Sequence, residues 1–354
     1  MDARVEPGHD GACWRGGGNL LSVPTHTFPL RRARVMPLPK ILEGRLALPV
    51  IGAPLFIVSG PELVIAQCKA GVVGSFPALN ARPAGMLDTW LARIEDELAS
   101  FAAENPGRPV APYAVNQIVH ASNTRLREDM AVCARRRVPI VITSLRSPVE
   151  VVDAVHSWGG IVFHDVISVR HAEKAIEAGV DGLILVCAGA GGHAGTLSPF
   201  ALVQEVRAFY DGPLILSGAI ATGRSVFAAQ AIGADLAYVG TRFIATAEAN
   251  ADRRYKEMLA EGAARDTVYT SLFTGVAGNY LKPSIAAAGL DPDALPEADK
   301  TKMDFASADA KAWRDIWGAG QGLGAIADAP PTAELVARMT EEYAAAKAAL
   351  LSGG

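Results

Sequence analysis

The segment Cys187-Ala188-Gly189-Ala190-Gly191-Gly192-His193-Ala194-Gly195 places one titratable ring among residues with almost no side chain. Glycine and alanine let a backbone approach a broad, flat ligand closely, because nothing projects between them. A histidine held in such a turn can take up a proton near neutral pH with modest environmental tuning. His193 is therefore the candidate base. The competing reading is a flexible loop that happens to carry a surface histidine.

Two further turns have a different chemical character: Leu216-Ser217-Gly218-Ala219-Ile220-Ala221-Thr222-Gly223 and Gly240-Thr241-Arg242. Amides in glycine-rich turns, followed by helix N-termini, offer donors and a favourable dipole to a phosphate. Thr241 can add a hydroxyl. No Gly-x-Gly-x-x-Gly opens an early strand–helix–strand unit, which argues against a dinucleotide fingerprint. The expected ligand is a mononucleotide with a flat ring, and FMN fits. Asn116 is a further candidate, since an amide can both donate to and accept from a flavin ring or ribityl chain. His164 is expected at the mouth of the same site, His120 is a weaker pocket candidate, and His171 reads as surface. Tyr280 and Gln321 are candidates from a covering segment.

Residues of these types act together only if one architecture gathers them. From Pro49 onward, short apolar runs alternate with longer amphipathic ones. The runs 50–53, 72–75, 113–116, 140–143, 160–163, 182–186, 214–216 and 236–239 are expected as strands. Amphipathic stretches lie between them, as in 169–178, where Val169, Ala172, Ala175 and Ile176 recur at helical spacing. Leu183-Ile184-Leu185-Val186 is apolar on both faces, as a parallel strand is when helices cover one side and a packed interior the other. Eight such units predict an α/β fold, a (β/α)8 TIM barrel, with an open doubly wound sheet as the competitor. The three motifs then fall after strands six, seven and eight, where barrels of this kind place chemistry and bind phosphate.

After the eighth strand the alternation stops. The reading divides the chain into a disordered leader (1–39), an FMN-binding barrel (40–260), a mainly helical cap on the substrate side (261–318) and a helical segment returning to the barrel (319–354). The leader carries Gly16-Gly17-Gly18 and Arg31-Arg32-Ala33-Arg34 without periodicity, and Met36 is an alternative start.

Bulk composition narrows the classes. Half of the 354 residues are hydrophobic and 20% are charged, which excludes a disordered or fibrous chain. A formal net charge of −4 gives no reason to expect nucleic acid or an anionic membrane as partner. The four cysteines show no metal spacing, so no metal site is expected and a reducing, cytoplasmic setting is. The expected partners are a small-molecule substrate and O2, and a homo-oligomer is compatible with the sequence.

Taken together, these motifs resemble the nitronate monooxygenase family, formerly called 2-nitropropane dioxygenases, over about residues 48 to 327. The resemblance rests on Gly52-Ala53-Pro54-Leu55, Asn116, Ala190-Gly191-Gly192-His193-Ala194-Gly195, Ser217-Gly218-Ala219-Ile220, Val239-Gly240-Thr241-Arg242-Phe243 and Ala319-Gly320-Gln321. It implies FMN contacts at Ala53, Asn116, Gly191, Ser217, Gly218, Ala219, Gly240 and Thr241. It also implies that His193 takes the proton α to a nitro group, or steers the nitronate. Flavin and O2 would then give a carbonyl compound and nitrite. The chain departs from the family pattern at Val186 and Gly189, where polar or acidic residues are common, at Asp165, where some relatives are basic, and at Leu55, often Met. The alternative on the same barrel is an NAD(P)H-dependent reductase of quinones or enoyl thioesters.

Overall fold

A computed structural model describes residues 38–83, 85–296 and 315–352. The expected leader therefore lies almost wholly outside the described residues, as does part of the expected cap.

Eight parallel strands form the sheet: β1 (Val50–Gly52), β2 (Gly74–Pro77), β3 (Tyr113–Val119), β4 (Ile140–Leu145), β5 (Ile161–Val166), β6 (Gly182–Val186), β7 (Leu214–Ser217) and β8 (Leu236–Val239). Their order is β1-β8-β7-β6-β5-β4-β3-β2. A parallel bridge between Ile51 and Val73 joins β1 to β2 and closes the ring. Gly52 N donates to Val73 O at 2.8 Å, and Val73 N to Val50 O at 3.1 Å. The chain is a closed (β/α)8 barrel, and closure removes the exposed edges an open sheet would leave.

The helices between strands are α1 (Pro61–Lys69), α2 (Met86–Glu104), α3 (Leu126–Arg136), α4 (Val149–Ser157), α5 (Val169–Glu177), α6 (Pro199–Arg207) and α7 (Gly223–Ala231). Their starts follow local chemistry. Pro61 and Pro199 occupy first-turn positions where a missing N–H costs nothing. Ser168 caps α5, and Thr222 with Ser225 forms a reciprocal cap on α7. In α2, buried Leu87, Leu91, Ile94 and Leu98 form one stripe facing the core.

Side-chain alternation splits the core in two. Ile51, Val73, Ile142, Phe163, Ile184, Ile215 and Leu236 point inward and fill the barrel. Val141, Val162, Leu183, Leu185 and Leu214 point outward against the helices. Burying a side chain the size of Phe163 contributes about 2–3 kcal/mol, so the interior is a packed core that ends only where inward positions become polar.

Beyond β8 come the short α8 (Thr241–Ile244) and α9 (Arg253–Glu261). The expected cap holds strands as well as helix: β9 (Thr267–Thr270) and β10 (Gly278–Leu281) pair antiparallel before α10 (Lys282–Ala287). The short strand Gly192–His193 joins the other edge of β10. The C-terminal α11 (Thr332–Ser352) sets Leu335, Val336 and Met339 in a cluster with Val50, Val226 and Val239. Gly223 makes that approach close: a Cβ there would overlap the backbone of α11 at Met339 and Tyr343.

Candidate active site

At the C-terminal ends of the strands, the inward positions change from apolar to polar. Asn116 and Ile118 on β3, Ser144 on β4, Asp165 on β5, Val186 on β6, Ser217 on β7 and Tyr238 on β8 line one cavity of about 870 Å3. The nine residues expected from the sequence, His193 with Ala53, Asn116, Gly191, Ser217, Gly218, Ala219, Gly240 and Thr241, all line it. Asn116 lies within β3 rather than after it, and its amide nitrogen donates to Ile142 O at 3.3 Å.

The His193 loop is ordered by contacts on three sides. Cys187 N donates to Ser217 O at 3.0 Å, and Gly195 N returns to Val186 O at 3.0 Å. Gly189 O accepts from Ala219 N at 3.2 Å and from Gln321 N at 2.9 Å. Gly278 and Asn279 of β10 pair with His193 and Gly192, and the Asn279 amide donates to Ala190 O at 2.7 Å. Tyr269 OH donates to Ala194 O at 2.7 Å. The glycines give close approach here rather than mobility. A Cβ on Gly191 would come 2.6 Å from Gly320 N, so only glycine admits the neighbouring segment.

His193 is half-buried, and desolvation lowers its pKa to about 4, so the ring is neutral at physiological pH. Its Nε2 lies 2.8 Å from Thr274 Oγ1. Thr274 Oγ1 is also 2.9 Å from the Val276 carbonyl. Thr274 Oγ1 therefore bridges the imidazole and the Val276 carbonyl, which fixes the orientation of the ring.

The same cavity lining holds an unusual pair. Asp165 Oδ1 and Tyr238 OH are buried and have no hydrogen-bond partner among the described residues. Burial raises the Asp165 carboxyl to about 7. The Tyr238 hydroxyl is pushed well above its ordinary value by burial and then by the nearby Asp165 charge. Buried polar groups ordinarily find partners, so this pair fits a polar ring edge delivered by a bound molecule. As pH falls below about 7 the neutral acid, able to donate, predominates at Asp165, which differs from the fixed carboxylate its residue type suggests.

The phosphate-like turns bend as their composition requires. Gly218 has φ +141° and Ala219 φ +53°, and a Cβ on Gly218 would sit 2.8 Å from Ala188 O. Thr241 Oγ1 accepts from Gly320 N at 2.8 Å, so its own proton remains to be donated. The first amide of α7 is taken within the chain: Gly223 N donates to Glu342 Oε2 at 2.7 Å. A carboxylate from α11 takes the place of an external anion.

Some expectations are corrected. His164 does not face the mouth. β5 continues to Val166, which puts His164 on an outward position, where Nδ1 meets Thr143 Oγ1 at 2.8 Å. Burial, then the charge of His171, lowers its pKa to about 4. Asp165, one residue on, takes the inward place. His120, Tyr280 and Gln321 do not line the cavity. His120 Nδ1 lies 2.9 Å from Ser122 Oγ, Tyr280 is wholly buried, and Gln321 acts through its amide on Gly189. The sequence reading missed Tyr238, Thr274 and the stacked pair Tyr255–Trp317, whose rings lie 4.7 Å apart. Counting strand parity forward from Phe163 would have found Asp165, and the same count from Leu236 gives Tyr238.

Gly189, where acidic residues are common in the family, has φ +85°, and a Cβ there would meet Gln321 Oε1 at 3.1 Å and Ala219 Cβ at 3.2 Å. A side chain at 189 would be strained in this chain. Among the described residues, no group of three or more His, Cys, Asp or Glu side chains could hold a metal ion. No described helix is long and apolar enough to cross a membrane.

Comparison with known proteins agrees with this architecture. The solved structure of FabK from Thermotoga maritima superposes with TM-score 0.70, at 24% identity, covering 89% of this chain and 97% of that one. The nitroalkane oxidase from Streptomyces ansochromogenes gives TM-score 0.70 at 24% identity, covering 88% and 99%. The nitronate monooxygenase of Paraburkholderia phytofirmans is 28% identical over 344 residues, 83% of this chain and 92% of that protein. The family profile described as nitronate monooxygenase matches residues 42–342. With that match spanning the closed barrel and every residue of the cavity named above, the chain belongs to the nitronate monooxygenase family of flavin-dependent oxidoreductases.

Proposed function

We propose that this protein is an FMN-dependent enzyme that oxidises nitronates or nitroalkanes with O2 to a carbonyl compound and nitrite, with His193 as the base. The observation that carries this reading is the placement of His193. It is a neutral imidazole, fixed by strand pairing and by Thr274, lining a cavity with two glycine-rich turns.

Ala53, Asn116, Gly191, Ser217, Gly218, Ala219, Gly240 and Thr241 would hold the cofactor. The last four would take its phosphate, with Thr241 adding a hydroxyl proton. The buried, unpartnered Asp165 and Tyr238 suit the polar edge of its ring. When bound, FMN supplies the redox chemistry that joins substrate oxidation to O2. The protein's part is acid–base and positional. The imidazole of His193 accepts the acidic proton α to a nitro group, or orients a substrate that arrives as the nitronate. Proton transfer to a positioned base contributes about 10²–10⁴ in rate. The segment 261–318, with β10 bracing the His193 strand, acts as the substrate-side cap. Buried free thiols at Cys68, Cys133 and Cys187 suit a reducing, cytoplasmic setting.

Anaerobic mixing of the purified flavoprotein with a nitronate, a nitroalkane, NADH and NADPH in parallel tests this. Bleaching by the nitro compounds with inert pyridine nucleotides is expected. Rapid bleaching by NADH or NADPH alone would move the protein to the reductase reading. Mass spectrometry of the released cofactor tests FMN.

A further inference from the structure

The turn after β1 holds an isoleucine in a conformation that suits glycine. Ile57 has φ +67°, in the left-handed region that a β-branched side chain strongly disfavours. It stays there because both of its peptide groups are held. Ile57 N donates to Asn80 Oδ1 at 2.9 Å, and Ile57 O accepts from Asn250 Nδ2 at 3.0 Å. Asn80 also donates to Leu55 O at 2.9 Å and to Ser59 O at 2.8 Å. Asn250 N donates to Val58 O at 3.0 Å. Two asparagines from distant parts of the chain thus fix one turn.

Packing does not explain the choice of residue. Ile57 lines the cavity, yet 41% of its surface is exposed. Glycine would make the same turn without strain, and a large exposed apolar side chain adds little to the folded state by itself. What isoleucine adds is apolar surface at the cavity rim, beside Leu55, Val58 and Ile244. Strain retained at a cavity is a mark of function when the surroundings enforce it.

We propose that Ile57 is a specificity-determining residue that packs against the apolar tail of the substrate, with Asn80 and Asn250 as the positioning residues that hold it at the rim. The assignment rests on the cavity being the substrate chamber. A tail long enough to reach the rim buries the exposed part of Ile57, whereas a short substrate gains nothing from it.

The test is calorimetric binding of unbranched aliphatic carboxylates of two to eight carbons to the holoprotein, as planar anionic stand-ins for nitronates. Wild type, Ile57→Gly and Ile57→Ala are compared, and thermal melts are recorded for each. Affinity in wild type should rise with chain length. Both variants should lose roughly threefold to tenfold for the longest chains, the scale of one or two methylene contacts, and keep the two-carbon affinity. Ile57→Gly should also melt about a degree or two higher, because it relieves the strain, whereas Ile57→Ala should not. Unchanged long-chain affinity in Ile57→Gly overturns the proposal, and so does a lower melting temperature for that variant. Binding is read without turnover, so a wild type that shows the chain-length trend but oxidises no nitronate would refute the proposed reaction and leave the role of Ile57 standing.

Discussion

His193 and Gly278 are partners in an antiparallel ladder, so a strand beyond the barrel fixes the ring that faces the barrel mouth. A Cβ on Gly278 would collide with the Gly192 carbonyl. Gly278→Val should push the His193 strand away from β10 while leaving the eight barrel strands intact. Displacing a catalytic group by about 1 Å can cost about 10²-fold, and a loss of at least about tenfold in kcat/KM is expected. Steady-state kinetics beside far-UV circular dichroism checks this. Undiminished turnover with a normal spectrum would show that the ladder does not position the base.

Replacing His193 by Asn should lower kcat by about 10²–10⁴ while the protein keeps its flavin, read from its visible spectrum. The pH profile carries a sign. With its pKa lowered to about 4, His193 is unprotonated throughout the neutral range and gains a proton only as pH falls through about 4. The His193 contribution to kcat/KM should therefore be flat from pH 8 to pH 5. An acidic limb near pH 6.5 that vanishes in the Asn variant would show a solvated ring in the working enzyme.

Asp165 gives an opposite dependence in stability. Its folded pKa is raised by burial to about 7 from the ordinary aspartate value of 3.8. Between these values the unfolded chain has lost a proton that the folded chain keeps, so this group lowers stability as pH rises through the window. The decline ends above about 7. The slope is at most about 1.4 kcal/mol per pH unit. Asp165→Asn should remove it, making the variant more stable than wild type at pH 8, with the gap shrinking towards pH 4. Thermal melts of the flavin-free protein across this range decide it, and a constant difference would mean that the carboxyl is not protonated in the folded state.

Glu342→Ala removes the carboxylate that caps the first turn of α7 through Gly223 N. A loss of about 1 kcal/mol is expected from the vacated cap. Flavin retention should stay unchanged, because the residues assigned to the phosphate lie in the turns before α7 and after β8. Equilibrium denaturation and flavin dissociation, measured side by side, separate the two effects. Loss of flavin without loss of stability would return the α7 terminus to the ligand.

Much of this site is legible in the sequence. The strands expected at 182–186 and 236–239 are observed with the same limits, because period-two and period-3.6 hydrophobic patterns reflect local burial. His193 and the three glycine-rich motifs were legible for a related reason. Close backbone approach needs residues without side chains, and such residues are conspicuous. The expected length of β5 misled, and one misplaced strand end put His164 at the mouth in place of Asp165.

The barrel, the order of its motifs and the residue types gathered at its mouth are all written along the chain. These depend on burial periodicity and turn chemistry, both carried by neighbours in the chain. Long-range packing alone sets the unpartnered Asp165 Oδ1 and Tyr238 OH in the cavity lining, brings Thr274 to the ring of His193, places Glu342 on the first amide of α7, and holds Ile57 in strain between Asn80 and Asn250. Each joins groups far apart in the chain, and their desolvation and hydrogen bonding depend on distances set only once the ring of strands has closed.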